Sequence, residues 1–245
     1  MMDIEKRFLL NLTQLSFTLA VLIVMHHSFN VDVHYNAFHN VFDITYIVER
    51  YFYNVSEYAV PMFFFISAYL FYRTYTGDWL GYKNKINKRI YSLVIPYVLY
   101  NSFGYVKHVL KTNGKFDLYG LIDAIVSAST MPLWFIRELI IFSFLSYFLY
   151  FVIHRINYAV LISVIASIMS IYGIVSYRSF IYWIPVYLMG GIFSRKDIQI
   201  KFIDIIYNKK LAFFSFFILI IVPWFLPNYS YSYDNIMRLE YYAFR

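Results

Sequence analysis

Seven long apolar runs leave this chain few ways to fold. They lie near residues 9–29, 47–72, 90–106, 133–153, 157–175, 179–194 and 211–227. A helix of about 20 apolar residues crosses a hydrocarbon core of roughly 30 Å. Since 61% of the 245 residues are hydrophobic and 14% are charged, the composition is that of a membrane protein rather than a soluble domain. We therefore expect an all-α, polytopic transmembrane bundle of about seven spans.

The positions of lysine and arginine predict the orientation of these spans. Basic side chains concentrate in the cytoplasmic connections of membrane proteins. In this chain the basic connections lie at 6–7, 73–89, 154–155 and 194–210. They all fall on one side if the amino terminus is cytoplasmic, which is the orientation that we expect.

Lys107, Lys111 and Lys115 are exceptions, because this orientation places them outside. The segment 116–130 that follows is too short to span and is expected to form a re-entrant or interfacial helix.

The first span lacks a small-residue cleavage site and is interpreted as a retained helix. We expect a single membrane-embedded domain over 1–245, and the final "YYAFR" suggests a shortened or truncated chain.

The absence of cysteine excludes disulfides and thiolate metal sites. The histidines show no spacing with carboxylates that would form a ligand set, so no metal is expected. A nucleic-acid partner is not expected either. The 27 tyrosines suit membrane interfaces and are interpreted as mostly structural.

Two adjacent histidines end the first apolar run, in "VLIVMHHSFN". His27 lies eleven residues after Ser16, about three turns and roughly 16 Å along a helix, so the two share one stripe. His26 points about 100° away. His27 is interpreted either as an interfacial histidine or as a general base, because an imidazole with a pKa near 6.5 can accept a proton from a hydroxyl.

Arg137 and Glu138 lie just inside the fourth run. Neighbours on a helix point about 100° apart, so we expect them to be poor partners for each other. Arg137 is interpreted either as an interhelical contact or as a group that stabilises a developing oxyanion near His27. Glu57 has a similar outer position and is a candidate to orient the imidazole of His27.

Four sequence blocks occur in a characteristic order within 8–150. They are "LSFTLAVLIVMHHS", "VPMFFFISAYLFYR", "NKRIYSLVIPYVLYN" and "MPLWFIRELIIFSFLSY". In this order and at this spacing they resemble the acyltransferase 3 family of bacterial membrane acyltransferases. The resemblance implies about ten transmembrane helices in the bacterial inner membrane. It also implies transfer of an acyl group, often acetyl, from cytoplasmic acyl-coenzyme A to a hydroxyl of a cell-surface or lipid-linked glycan.

The resemblance also implies which residues form the site. The family's first-helix motif of arginine, ten residues and histidine falls on Ser16 and His27. Its other motifs fall on Phe64, Phe65, Ser67, Ala68 and Tyr69, on Arg89 and Ser92, and on Leu133, Trp134 and Phe135. The expected catalytic residues are His27, Arg137 and Glu57. The expected substrate-binding residues are Ser16, Ser67, Tyr69, Lys88, Arg89 and Trp134.

Three positions depart from the family pattern. Serine stands at 16 and at 92 where arginine is expected, and Ala68 replaces a glycine. Ser16 matters most, because an arginine could pair with a phosphate whereas serine supplies a neutral hydrogen-bonding group. Ser16 and the short chain leave open an inactive remnant of the family. Polar residues within the spans also leave open a transporter or flippase of polysaccharide precursors, in which they would line a pathway, although no internal repeat supports it.

Overall fold

A computed structural model describes residues 2–28, 55–129 and 133–206, together with 44, 48, 51 and 52. These residues are helical with short connections and contain no strand, which confirms the all-α class. The helices are α1 (Met2–Ser28), α2 (Ala59–Arg73), α3 (Trp79–Arg89), α4 (Ile95–Thr112), α5 (Leu118–Ser127), α6 (Trp134–His154), α7 (Ile156–Ile171), α8 (Phe180–Phe193) and α9 (Lys196–Ile206). The predicted span 211–227 and the tail 228–245 lie outside the described residues.

Two of the described helices are long and apolar enough to cross a membrane. They are the Lys6–His27 part of α1, with 22 residues, and α6, with 21 residues. Helices α2, α7 and α8 are also apolar but have 15, 16 and 14 residues. Each predicted apolar run in the described residues therefore contains a helix, while the number of spans and their orientation stay predictions.

Close contacts divide the chain into two compact units, Met1–Ala59 with Ile203–Arg245, and Val60–Phe202. In the first unit, α1 has two distinct faces. Phe8, Leu12 and Leu19 are buried, whereas Phe17 and Val24 are 73% and 69% exposed. The buried positions recur at helical spacing, so one stripe of α1 packs and the opposite stripe remains uncovered.

Aromatic stacking between α2, α6 and α8 forms the core of the second unit. The rings of Phe142 and Tyr187 stack with centroids 4.1 Å apart, and Phe64 meets Phe142 edge-on at 5.6 Å. Gly190 allows α8 to approach α2 closely, because a Cβ there would lie 2.3 Å from the Phe65 carbonyl oxygen. Small residues at a helix crossing permit such backbone contact.

Three of the predicted basic connections meet at one end of this second unit. The Tyr150 hydroxyl near the end of α6 donates to the Thr76 carbonyl, 3.2 Å away, in the connection between α2 and α3. Arg195, just after α8, donates from Nη1 to the Ile153 carbonyl at 3.3 Å. These connections, whose basic residues predict a shared side of the membrane, therefore lie close together.

Helix α5 is a short helix that packs on α4. Asp117 caps its start by accepting from Tyr119 N and Gly120 N, and the Tyr105 hydroxyl of α4 donates to the Asp117 carbonyl at 2.8 Å. Ten residues rise about 15 Å, half the thickness of the hydrocarbon core. Helix α5 is therefore too short to span, as predicted.

Candidate functional site

The two histidines at the end of α1 have different surroundings. His26 Nδ1 lies 2.7 Å from the hydroxyl of Ser56, which is 3% exposed. The imidazole of His27 meets that of His26 edge-on at 5.4 Å and is itself exposed. His26 thus contacts the segment that precedes α2, while the side chain of His27 is exposed.

The other candidates near these histidines are Ser16 and Glu57. Ser16 is half-buried, and its hydroxyl donates to the Leu12 carbonyl of the same helix at 2.8 Å. Such a bond to the carbonyl four residues earlier satisfies the hydroxyl within its own helix. Glu57 is exposed and directly follows Ser56 in the chain. The role of Glu57 as an orienting group for His27 stays a prediction.

Helix α3 carries a basic cluster formed by Lys85, Lys88 and Arg89. Lys85 Nζ donates to the Thr74 hydroxyl at 2.7 Å and lies 5.1 Å from the centroid of the Phe71 ring. Burial, followed by repulsion from Arg89 and Lys88, lowers the pKa of Lys85 to about 8. Lys88 is exposed. Lys85 therefore titrates close to physiological pH, unlike an ordinary lysine.

Arg89 connects two of the motif blocks. Its Nη2 donates to the Ser67 carbonyl of α2 at 3.3 Å, and its guanidinium lies 6.0 Å from the Phe71 ring centroid. Burial lowers the pKa of Arg89, and the nearby Tyr187 hydroxyl acts in the opposite direction. Within the described residues, Arg89 forms no ion pair with a carboxylate. A half-buried cation of this kind is stabilised by a bound anion.

A π-helical turn, Ile90–Val94, follows Arg89 directly and leads into α4. Such turns are rare and are frequently found at functional sites. A shallow surface depression, with no enclosed room for a water molecule, lies between this turn and α6. It is lined by Ile86, Arg89, Ile90, Val94, Ile140, Ser143 and Phe144. The lining is apolar apart from Arg89 and Ser143.

Buried hydroxyl groups lie in the core near Arg89. Tyr72 donates to the Ser146 carbonyl at 3.1 Å, and the Ser146 hydroxyl lies 3.3 Å from that of Tyr187. The sequence predicts these tyrosines to be structural, as it does most of the 27. Nothing in the sequence distinguished Tyr187 as a neighbour of Arg89, because the contact joins α3 to a helix about 100 residues further along.

The expectation that Arg137 and Glu138 make poor partners was wrong. Arg137 Nε lies 2.7 Å and Nη2 lies 2.6 Å from Glu138 Oε1. The remaining donors reach the carbonyls of Val126, Ser127 and Arg178 at 2.9 to 3.2 Å. The long arginine side chain can fold across the 100° between neighbours, which a comparison of helix directions alone ignores. Each of the three guanidinium nitrogens thus has a hydrogen-bond partner.

The remaining candidates are distributed along the second unit. Trp134 lies in an aromatic cluster, with its ring centroid 5.1 Å from that of Tyr177 and 6.3 Å from that of Trp183. Tyr69 is fully buried in α2. The structure brings Ser67 and Arg89 together. His27 and Arg137 belong to different compact units, and their proximity stays a prediction.

These features define an all-helical protein with membrane-length apolar helices and a basic cluster at one end of a packed bundle. The family model described as acyltransferase domain, that of the acyltransferase 3 family, matches residues 11–245. The chain belongs to this family, and the match supports acyltransferase activity. No curated protein and no solved structure matches the chain.

Proposed function

We propose that this chain is an integral membrane O-acyltransferase of the bacterial inner membrane. It moves an acyl group, with acetyl expected, from cytoplasmic acyl-coenzyme A to a hydroxyl of a cell-surface or lipid-linked glycan. The observation that carries the proposal is the family match, which covers all four motif blocks. The donor, the acceptor and the ester product belong to the proposal.

The exposed surface of the bundle supports insertion in a bilayer. Helix α7 leaves a series of large apolar side chains 47% to 81% exposed. They are Ile156, Val160, Leu161, Val164, Ile165, Ile168 and Ile171. Contiguous apolar surface of this kind is unfavourable in water and favourable against lipid. A multi-pass arrangement gives these side chains an apolar environment.

The basic cluster of α3 supports a donor that carries phosphate groups. Lys85, Lys88 and Arg89 supply three cations on one short helix, and Arg89 lacks a carboxylate partner among the described residues. Phosphate groups of the donor would neutralise this cluster. Ser67, Tyr69 and Trp134 are proposed to line the substrate path further along.

His27 is proposed to act as the general base. It takes the proton from the acceptor hydroxyl as the oxygen attacks the thioester carbonyl. The C–O bond forms, the C–S bond breaks, and the thiolate of coenzyme A leaves and receives a proton. Glu57 is proposed to fix the imidazole tautomer. Arg137 is proposed to stabilise the oxyanion. One of its N–H groups, which now donates to a backbone carbonyl, would donate to the oxyanion instead.

The test compares acylation of surface glycan in cells that make the wild type, His27→Ala or His26→Ala. A general base contributes about 10²- to 10⁴-fold to the rate, so His27→Ala should abolish detectable acylation. His26→Ala is the matched control: it removes the contact with Ser56 and should retain most of the activity. Membrane levels of all three proteins are measured by immunoblotting. Equal acylation at equal protein levels would remove His27 from the mechanism.

One observation favours a second candidate, an inactive remnant of the family. The Ser16 hydroxyl is bonded to its own helix and supplies no cation at the position of the family's arginine. If the wild type binds acetyl-coenzyme A but leaves the glycan unmodified, the remnant is the better description.

A further inference from the structure

The side chain of Lys85 combines three properties that distinguish it from the other lysines of α3. It is half-buried, it is held at Nζ by the Thr74 hydroxyl, and it packs on the Phe71 ring. Lys83 and Lys88 on the same helix are exposed. Because Nζ donates in the bond to Thr74, that bond does not occupy the nitrogen lone pair of the neutral amine.

Lys85 also lies in the cluster where the acyl donor is proposed to bind. Arg89 is four residues later on the same helix and faces the same Phe71 ring. A donor whose phosphates are held by Arg89 and Lys88 carries its thioester on a long, flexible arm, which can fold back so that the thioester carbonyl reaches the Lys85 amine. Proximity of this kind converts a slow bimolecular reaction into an effectively intramolecular one.

We propose that Lys85 is a site of self-acylation by the acyl thioester that the basic cluster of α3 binds. This inference rests on the donor half of the proposed function. The neutral amine attacks the thioester carbonyl, the C–N bond forms and the C–S bond breaks. The thiolate leaves and takes up the proton that the nitrogen loses. The product is a neutral amide, so the reaction removes one cation from the donor site and weakens donor binding.

The charged groups around Lys85 favour the reactive form. Burial lowers its pKa to about 8, with Arg89 and Lys88 contributing repulsion, while α2 and the residue after it present the Phe71 ring and the Thr74 hydroxyl. At pH 7 the neutral fraction of such an amine is roughly 300 times that of an ordinary lysine. A less basic nitrogen is also a weaker nucleophile, and the dependence known for thiols offsets part of this advantage. The net gain in acylation rate is then about 20-fold, before any contribution from proximity.

The experiment incubates the purified full chain, in detergent or nanodiscs, with acetyl-coenzyme A and measures acetylation of each lysine by peptide mass spectrometry. Lys83 and Lys88 are internal controls. We expect acetylation at Lys85 at pH 7 to exceed that at either control by more than the roughly 20-fold that its acidity alone provides. Its rate should rise about fivefold to pH 8 and level off above pH 9, whereas the controls should continue to rise tenfold per pH unit.

Two further arms separate this inference from the proposed function. An S-acetyl thioester without phosphates should reduce the preference for Lys85 to the part that its acidity alone provides, because the basic cluster cannot hold such a donor. Lys85→Arg keeps the positive charge and should leave no acetylation at position 85.

Binding of acetyl-coenzyme A is measured in the same samples. Saturated binding with equal acetylation at all three lysines overturns the inference and leaves the proposed donor in place. Absence of binding overturns both. Preferential acetylation of Lys85 in a protein that leaves glycan unmodified supports the inference and contradicts the proposed acceptor.

Discussion

Ser16 is the single residue that bears most on whether this family member is active. Its hydroxyl is satisfied by the Leu12 carbonyl, so α1 tolerates serine without cost but presents no positive charge there. His27, three turns further along the same helix, is exposed and open to an acceptor. The proposed base and the position of the missing cation therefore belong to one helix and can be tested by substitutions in that helix.

Ser16→Arg restores the family's residue and is expected to raise the glycan acylation rate. A charge-assisted hydrogen bond contributes about 1.5–3 kcal/mol, which corresponds to roughly tenfold or more in rate. The measurement is glycan acetylation normalised to the amount of membrane protein. Thr13→Arg is the control, since Thr13 is exposed and its hydroxyl is likewise bonded within the helix, to Leu9. Equal rates for wild type and Ser16→Arg would show that position 16 does not face the reaction.

Among the helices, Arg137 connects the start of α6 to the end of α5 and to the connection before α8. Its partner Glu138 is 2% exposed. The pair thus holds three helix ends in register, and breaking it affects more than one contact. Its structural role in the bundle is independent of whether the guanidinium also meets an oxyanion.

Arg137→Ala is expected to destabilise the second unit strongly, because it leaves a buried carboxylate without its partner. The cost of breaking such a pair is about 3–5 kcal/mol. Arg137→Ala/Glu138→Gln removes the uncompensated charge and should recover part of the loss. Thermal unfolding in detergent, followed by size-exclusion fluorescence, measures both. Equal melting temperatures for the single and double variants would contradict a role for the buried charge.

The crossing of α2 and α8 depends on Gly190, whereas the adjacent Gly191 lies nearest to a side chain of α6. A Cβ at 190 would lie 2.3 Å from the backbone oxygen of Phe65, whereas one at 191 would lie 2.4 Å from Cδ1 of Ile153. The end of an isoleucine side chain can move more easily than a helix backbone.

Gly190→Ala is therefore expected to lower stability by about 1–3 kcal/mol and to separate α8 from the Phe-Phe motif of α2. Gly191→Ala, its matched neighbour, should cost distinctly less. Thermal unfolding and membrane abundance measure the difference. If Gly191→Ala proves equally or more harmful, the close backbone contact is not the main constraint on this crossing.

For the chain as a whole, the main prediction concerns topology. The connections containing Thr76 and Arg195 meet the end of α6, and their basic residues predict the cytoplasmic side. Lys111 at the end of α4 is predicted to lie outside. Because the chain contains no cysteine, single cysteines report position without background labelling.

Lys88→Cys and Lys196→Cys should resist a membrane-impermeant maleimide in intact cells and react after permeabilisation. Lys111→Cys should react in both conditions. All three side chains are exposed, so lack of labelling in intact cells reflects the membrane barrier rather than burial. Labelling of Lys88→Cys from outside would overturn the predicted orientation.

Local patterns in the sequence determined the helical class, the positions of the described apolar helices, the short α5 and the grouping of basic connections. Each of these features depends on composition and spacing within one segment. The spacing of apolar side chains decides which face of a helix is buried, and the positions of basic residues decide which connections share a side. The motif order also identified the family, which the match over 11–245 confirms.

Only the tertiary structure decided which side chains meet. The contact of Arg89 with the Ser67 carbonyl, the pairing of His26 with Ser56 and the five contacts of Arg137 were absent from every sequence pattern. Such contacts depend on how separate helices pack and on how a long side chain folds back, and neither is encoded in the spacing of one segment. The altered acidity of Lys85 has the same origin, since its burial against Phe71 arises when α3 meets the end of α2.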